Sequence, residues 1–132
     1  MTVLIEVNRV SYAHPVPVGT PHPALRDISF SINQGEHVAI VGANGSGKTT
    51  LARQLNALLI PDSGNIRIMD LDTKDRSNHL KIHQHVGIVF QSPQEQMIAT
   101  SIEEDVAFGP ENLGLSSEEI QKRVRESLIQ VG

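Results

Sequence analysis

Residues 42–50, GANGSGKTT, contain the residue types that hold nucleotide phosphates. Glycines allow the backbone to bend so that successive N–H groups point at phosphate oxygens, and a side chain at Gly45 or Gly47 would obstruct this approach. The Lys48 ammonium can reach the β- and γ-phosphates, and the Thr49 hydroxyl can ligate Mg²⁺. The stretch therefore predicts a site for a Mg-nucleotide. The predicted nucleotide-binding residues of this stretch are Gly42, Asn44, Gly45, Ser46, Gly47, Lys48, Thr49 and Thr50.

The spacing of these residues satisfies the pattern G-x-x-x-x-G-K-[ST], which chance rarely produces. The alternative is a glycine-rich turn with an incidental lysine, but an apolar segment precedes the stretch and a leucine-striped segment follows it. The dinucleotide pattern G-x-G-x-x-G is not satisfied, because no third glycine falls at the required place after Gly45 and Gly47. The sequence also lacks the guanine-reading motif N-K-x-D, which disfavours a small GTPase.

The segments on both sides are predicted to position this loop. Residues 37–42, HVAIVG, form a short apolar run that predicts a strand leading into the glycines. Residues 48–59 predict a helix, whose N-terminal N–H groups and dipole would face the phosphates. Leucines recur along that helix at helical spacing, at Leu51, Leu55, Leu58 and Leu59. The sequence therefore predicts a strand, a phosphate loop and a helix in succession.

Further strands are predicted before and after this unit. Alternating apolar and polar residues predict two half-buried strands at 4–12 and 25–32, joined by a loop rich in proline and glycine. Another short strand is predicted at 65–69, with Asp70 as a turn residue. Residues 85–90, HVGIVF, predict a buried strand, and the residues SPQEQ after it predict a loop.

The last segment, SSEEIQKRVRESLIQV, is the clearest predicted helix. Ser116 and Glu119 form a capping box, and Ile120, Val124 and Leu128 line one face. The order of all these elements indicates an α/β nucleotide-binding core with an antiparallel strand layer beside it.

Composition sets outer limits on the function. The chain has 132 residues, enough for one ordinary domain, and a net charge of −4. This mild acidity argues against a broad nucleic-acid surface, so no nucleic-acid partner is expected. Cysteine is absent, which fits a reducing compartment. We also expect no signal peptide and no membrane-spanning helix, so a cytosolic protein that can bind a membrane through a partner is the default.

Three features outside the phosphate loop resemble the ATP-binding subunits of ABC transporters: Tyr12 near the end of the first strand, Gln91 within IVFQSP, and DVAFGPEN at 105–112. The last of these resembles the energy-coupling factor (ECF) branch in particular, which imports vitamins and transition metals. The resemblance implies a P-loop NTPase core of ABC type with an antiparallel β layer. Residues 1–132 would then be the N-terminal half of the ATP-binding domain, ending before the signature motif and the Walker B strand.

The resemblance also implies roles for single residues. Tyr12 would stack on adenine, or else be an ordinary core or edge tyrosine. Gln91 would contact Mg²⁺ or the attacking water and move with the membrane partner, or else be a polar residue that begins a loop. Lys48 and Gln91 would act in catalysis, and Thr49 and Gln91 would contact Mg²⁺.

The loop and helix that follow Gln91 resemble the groove where a membrane subunit docks. The implied groove residues are Gln94, Gln96, Asp105, Phe108 and Glu111. Ser92 and Gln94 depart from the family's usual residues, and Phe108 could instead be an ordinary core residue. A separate cluster, His79, His83 and His85, could suggest a metal site, but without cysteine or a fixed carboxylate partner a solvated connection is the better interpretation.

The resemblance implies a function for the complete protein. Two ATP-binding subunits, identical or paralogous, would close around ATP and Mg²⁺ and drive micronutrient import. Their partners would be a transmembrane coupling subunit and a substrate-binding membrane subunit, at the cytoplasmic face of the cell membrane. The catalytic glutamate, the signature loop and the switch histidine are expected beyond Gly132, so this segment should bind ATP without cleaving it. The alternative is a non-hydrolytic ATP-binding module that acts by nucleotide-dependent association.

Overall fold

The computed structural model describes residues 2–132. Two long strands, β1 (Val3–His14) and β2 (His22–Asn33), pair antiparallel along most of their length. Val7 and Val10 of β1 and Leu25 of β2 are buried in the core. Val7 and Val10 are three residues apart, and an irregularity in the β1–β2 register between them, where Arg9 has a φ of 47°, allows both to face the core. The two strands confirm the predictions at 4–12 and 25–32, and each is longer than predicted.

Two shorter strands complete the described sheet. Strand β3 (Ser63–Ile68) pairs antiparallel with the other edge of β1, and β4 (Leu71–Asp72) pairs with β3, giving the order β2-β1-β3-β4. The predicted strand at 65–69 is therefore confirmed. Asp70 lies in the turn between β3 and β4 with a left-handed φ of 70°, as expected of a turn residue.

Two helices follow in the first part of the chain. Helix α1 (Lys48–Leu55) is shorter than the predicted 48–59, because Ala57 takes a left-handed φ of 56°. The N–H groups of Ala57 and Leu58 then donate back to the carbonyl oxygens of Gln54 and Arg53, at 3.1 and 2.9 Å, which closes the helix end. Helix α2 (His79–His85) follows one turn of 3₁₀ helix at Arg76–Asn78.

The core lies between one face of this sheet and the helices α1 and α2. The buried apolar residues that form it are Val7, Val10, Leu25, Leu51, Ala57, Ile66, Ile68 and Ile82. The Asn56 side-chain amide donates to the Val86 carbonyl, which fastens the end of α1 to the residue after α2. The core therefore fixes where α1 begins relative to β1 and β2.

Two predicted strands do not form. Residues 37–42 are irregular, and 85–90 comprise the last residue of α2 followed by irregular chain, so both predictions are wrong for the described residues. Val41 and Val89 are 91% and 84% exposed, whereas the sequence predicted a buried strand at 85–90. The physical reason is that a strand requires a hydrogen-bonding neighbour, and no described strand lies beside either segment.

The chain divides into two compact units, Met1–Ile88 and Val89–Gly132, each described here by itself. The second unit begins with one turn of 3₁₀ helix at Pro93–Gln96, where the sequence predicted a loop. Helices α3 (Ile102–Asn112) and α4 (Ser117–Val131) follow and pack against each other.

Helix α4 begins as predicted. Ser116 caps it, because its hydroxyl accepts a hydrogen bond from the Glu119 N–H at 3.3 Å. The Glu119 carboxylate instead accepts from the Arg123 guanidinium at 2.7 Å, a hydrogen bond that lowers the pKa of Glu119. Val124 is buried and Ile120 and Leu128 are half-buried, which confirms the predicted apolar face. No helix within residues 2–132 is long and apolar enough to cross a bilayer.

Candidate nucleotide-binding site

The phosphate loop, defined here as residues 42–47, ends at Gly47, which is the N-cap of α1. Gly45 and Gly47 have left-handed φ angles of 80° and 96°, which favour glycine. A Cβ at Gly47 would collide with the carbonyl oxygen of Ala24, so the absence of a side chain lets the loop pack directly against β2. Strand β2 thus fixes the point where the loop meets the helix.

Lys48 lies within the curve of this loop. Its Nζ donates hydrogen bonds to the carbonyl oxygens of Gly42 and Ala43, at 2.8 and 2.7 Å. An ammonium group has three N–H donors, so these two bonds orient the positive charge and leave a donor for a further acceptor. Lys48 is half-buried. Two backbone carbonyl oxygens of the phosphate loop therefore hold the Lys48 ammonium group close to the start of α1.

The start of α1 offers the other groups that a phosphate and a cation require. No side chain caps the helix at Gly47, so its first N–H groups are not satisfied in that way. The neighbouring Thr49 side chain is exposed, so its hydroxyl can act as an oxygen ligand. Uncapped amides, a fixed ammonium and an exposed hydroxyl fit the phosphates of a nucleotide and one bound Mg²⁺.

Thr50, the third residue of α1, is buried and contacts a side chain that the sequence analysis missed. Its Oγ1 lies 3.0 Å from Nε2 of His14, the last residue of β1. A hydrogen bond between these atoms ties the end of the strand to the helix of the phosphate loop. The available signal was only that His14 follows Tyr12 by two residues near the end of the same strand, and the contact with Thr50 depends on how α1 packs against the sheet.

Tyr12 is half-buried and packs against the core cluster. Its ring meets that of His14 edge-on, with centroids 5.1 Å apart. The end of β1 therefore carries two adjoining rings, of which His14 is hydrogen-bonded to α1. Adenine stacking by Tyr12 remains a prediction.

Gln91 belongs to the second unit, where its side chain is exposed two residues before the 3₁₀ turn. Gln94 and Gln96 lie in that turn, the first exposed and the second half-buried. In α3, Phe108 is 46% exposed and therefore is not a core residue of the described structure. Glu111 is also exposed, near the end of the same helix.

The Asp105 carboxylate makes hydrogen bonds within its own chain. Oδ1 accepts hydrogen bonds from the N–H groups of Ile98 and Ala99, at 2.7 and 3.2 Å. The side chain is half-buried and holds the segment that precedes α3. In this structure, Asp105 therefore acts by accepting hydrogen bonds from backbone N–H groups of its own chain.

The histidines considered as a metal cluster lie on α2, at its two ends and its middle. His79 Nε2 donates to the Thr73 carbonyl oxygen at 2.8 Å, and the His79 and His83 rings are 6.3 Å apart. His85 is the last residue of the helix. Within residues 2–132, no three His, Cys, Asp or Glu side chains are grouped as a metal site.

Residues 25–132 match the sequence model of a known family, described as ABC transporter. The chain belongs to the ABC transporter family. The matched range includes the whole phosphate loop, α1 and Gln91. The site described above thus lies where that family's sequence pattern applies, with Tyr12 and His14 before it.

Curated relatives show which members of the ABC transporter family the chain resembles. The chain is 46% identical over 132 residues to the energy-coupling factor transporter ATP-binding protein EcfA1 of Caldanaerobacter subterraneus subsp. tengcongensis, covering 100% of this chain and 48% of that protein. It is 47% identical over 132 residues to EcfA1 of Clostridioides difficile, covering 100% and 47%. The chain therefore spans about half the length of the curated relatives it matches.

Solved structures agree on the architecture. CbiO1 from Clostridium perfringens, described as part of the ABC transporter complex cbiONQ, superposes with a TM-score of 0.79 at 35% identity, covering 97% of this chain and 50% of that one. A dimeric ATP-binding cassette, MJ0796, bound to ADP and Pi, also gives 0.79, at 28% identity and 93% and 55% coverage. The predicted α/β fold of an ABC ATPase core with an antiparallel β layer is confirmed.

Proposed function

We propose that the chain is the first half of an ECF-type ATP-binding subunit, and that it binds ATP with Mg²⁺ at the phosphate loop and the start of α1. The observation that carries the proposal is the Lys48 ammonium, held by the Gly42 and Ala43 carbonyl oxygens beside an uncapped helix start. Positive charge and helix N-terminal N–H groups that no side chain caps are the donor set that phosphate oxygens require. The ADP and Pi bound to MJ0796, which has the same fold, support this assignment.

Each residue of the site then has a task. Lys48 binds the β- and γ-phosphates, the loop amides orient them, and Thr49 provides a hydroxyl ligand for Mg²⁺. When bound, Mg²⁺ neutralises the charge that develops on the phosphate oxygens. The rings at the end of β1 cover the base, and Gln91 orients the attacking water or contacts the cation.

In the complete protein, this site would power transport. Two ATP-binding subunits would close around ATP at the cytoplasmic face of the membrane and drive import through a coupling subunit and a substrate-binding subunit. The relatives named as ECF transporter ATP-binding proteins support this assignment, as does the place of CbiO1 in the cbiONQ complex. A vitamin or a transition-metal ion is the cargo class that follows from this branch.

Removal of the Lys48 ammonium tests the proposal. Lys48→Ala in the full-length protein should abolish ATP binding, because the loop then lacks its fixed cation. Fluorescent-nucleotide titration measures the affinity, and phosphate release measures turnover. Lys81→Ala, which removes an exposed lysine from α2, is the matched control and should bind ATP normally. Undiminished turnover by Lys48→Ala would refute the site, whereas ATP binding without phosphate release by the wild type would favour a non-hydrolytic module.

A further inference from the structure

The segment between the 3₁₀ turn Pro93–Gln96 and α3 carries apolar side chains at its surface. Met97, Ile98 and Ile102 are 56%, 65% and 63% exposed. A short loop with exposed apolar side chains gains little order from burial, so its conformation must come from hydrogen bonds. Those bonds identify the residue that sets the path of the chain after Gln91.

The Asp105 carboxylate provides them. Its Oδ1 accepts the N–H groups of Ile98 and Ala99, while the Asp105 N–H donates to the Ser101 carbonyl oxygen at 3.1 Å within α3. Hydrogen bonds to an ionised acceptor are among the strongest that a backbone amide makes. The Ser101 hydroxyl adds a helix cap by accepting the Glu104 N–H at 3.2 Å. The segment is thus fastened to the first turn of α3.

This fastening gives α3 a mechanical connection to Gln91. A displacement of α3 must carry residues 98 and 99 with it or break both bonds to Asp105. Between Gln91 and Ile98 lie Ser92, the 3₁₀ turn Pro93–Gln96 and Met97, and we call residues 91–99 the Gln91 segment. We propose that Asp105 is a positioning residue that fastens the Gln91 segment to α3, so that a membrane partner that displaces α3 also moves Gln91.

The inference rests on the proposed function and changes the role of Asp105. The sequence resemblance placed Asp105 among residues that contact the partner, whereas here its carboxylate acts through its own chain. Asparagine distinguishes the two roles, because its side-chain oxygen still accepts both N–H groups but carries no charge. Asp105→Asn should preserve the fastening, and Asp105→Ala should remove it.

The test compares ATP hydrolysis by the full-length ATP-binding subunits alone and assembled with their membrane subunits. In the wild type, assembly should change the rate. Asp105→Ala should reduce this partner-dependent change several-fold, and Asp105→Asn should restore it. Glu103→Ala, which removes an exposed carboxylate from the same turn, should behave as the wild type. Amide exchange at Ile98 and Ala99 should accelerate in Asp105→Ala and stay slow in Asp105→Asn.

Loss of the partner effect in Asp105→Asn with slow exchange would overturn the proposal, because charge toward the partner would then be the essential property. Retention of the effect in Asp105→Ala would also overturn it. If Asp105→Ala does not assemble, Asp105→Asn alone decides between the two roles. A wild-type protein that hydrolyses no ATP in either state would refute the proposed function, while amide exchange would still report on the fastening.

Discussion

At the scale of single residues, the end of β1 carries two adjoining aromatic rings beside the helix where we propose that the nucleotide binds. His14 is hydrogen-bonded to Thr50 of α1, and the Tyr12 ring packs against the core and meets His14 edge-on. The Tyr12 ring therefore contacts both the core and the His14 ring. His14 makes the contact with α1, the helix that follows the phosphate loop. We therefore expect a base bound beside that loop to meet this pair of rings.

This arrangement predicts that His14 contributes more to nucleotide affinity than Tyr12 does. His14→Ala should weaken ATP binding about tenfold, because stacking of a base on an aromatic ring contributes about 1–3 kcal/mol. Tyr12→Leu, which keeps an apolar side chain against the core, should have a smaller effect. Fluorescent-nucleotide titration of the full-length variants measures both. A larger loss in Tyr12→Leu would instead assign stacking to Tyr12, as the family resemblance implies.

At the scale of elements, the phosphate loop depends on its contact with β2. Gly47 approaches the Ala24 carbonyl so closely that no Cβ fits, whereas a Cβ at Gly45 would meet no atom within 4 Å. Both glycines have a positive φ, so they share one conformational requirement and differ in packing. A comparison of Gly45 with Gly47 therefore separates two reasons for glycine in the loop, the backbone conformation and the close packing against β2.

Gly45→Ala should reduce the free energy of unfolding by about 1–2 kcal/mol, the cost of a left-handed conformation for a residue with a side chain. Gly47→Ala adds a steric clash of about 1–3 kcal/mol and should also displace the start of α1, which would lower ATP affinity. Urea unfolding and nucleotide titration of the full-length variants measure the two effects. Equal losses in both variants would show that the contact with Ala24 does not constrain the loop.

The elements also show how far the sequence could predict the structure. β1, β2 and the phosphate-loop motif were predictable because alternation and glycine spacing are local properties. The segments 37–42 and 85–90 have equally strong apolar patterns, but a ladder also needs a neighbouring strand, which no local pattern contains. The contact between His14 and Thr50 joins residues 36 positions apart and depends on the packing of α1 against the sheet, so spacing alone could not reveal it.

At the scale of the whole molecule, apolar side chains remain exposed in both compact units. Val41 and Val89 are 91% and 84% exposed, and Ile129 and Val131 of α4 are 72% and 84% exposed. An apolar area on the order of 200 Å² left in water corresponds to about 5 kcal/mol, at about 25 cal/mol per Å². That is comparable with the whole stability of a domain, about 5–15 kcal/mol. Because burial of this area does not contribute to the fold of the 132 residues by themselves, we expect them to have little stability in reserve.

We expect the isolated 132-residue chain to self-associate or to unfold without a sharp transition, because association is the available means of covering these side chains. Sedimentation velocity over a range of concentrations measures association, and thermal unfolding followed by circular dichroism measures cooperativity. The full-length protein under the same buffer conditions is the control and should unfold cooperatively. A monomeric 132-residue chain with a sharp, reversible transition would contradict this prediction, since it would mean that the exposed valines and isoleucines cost the fold little.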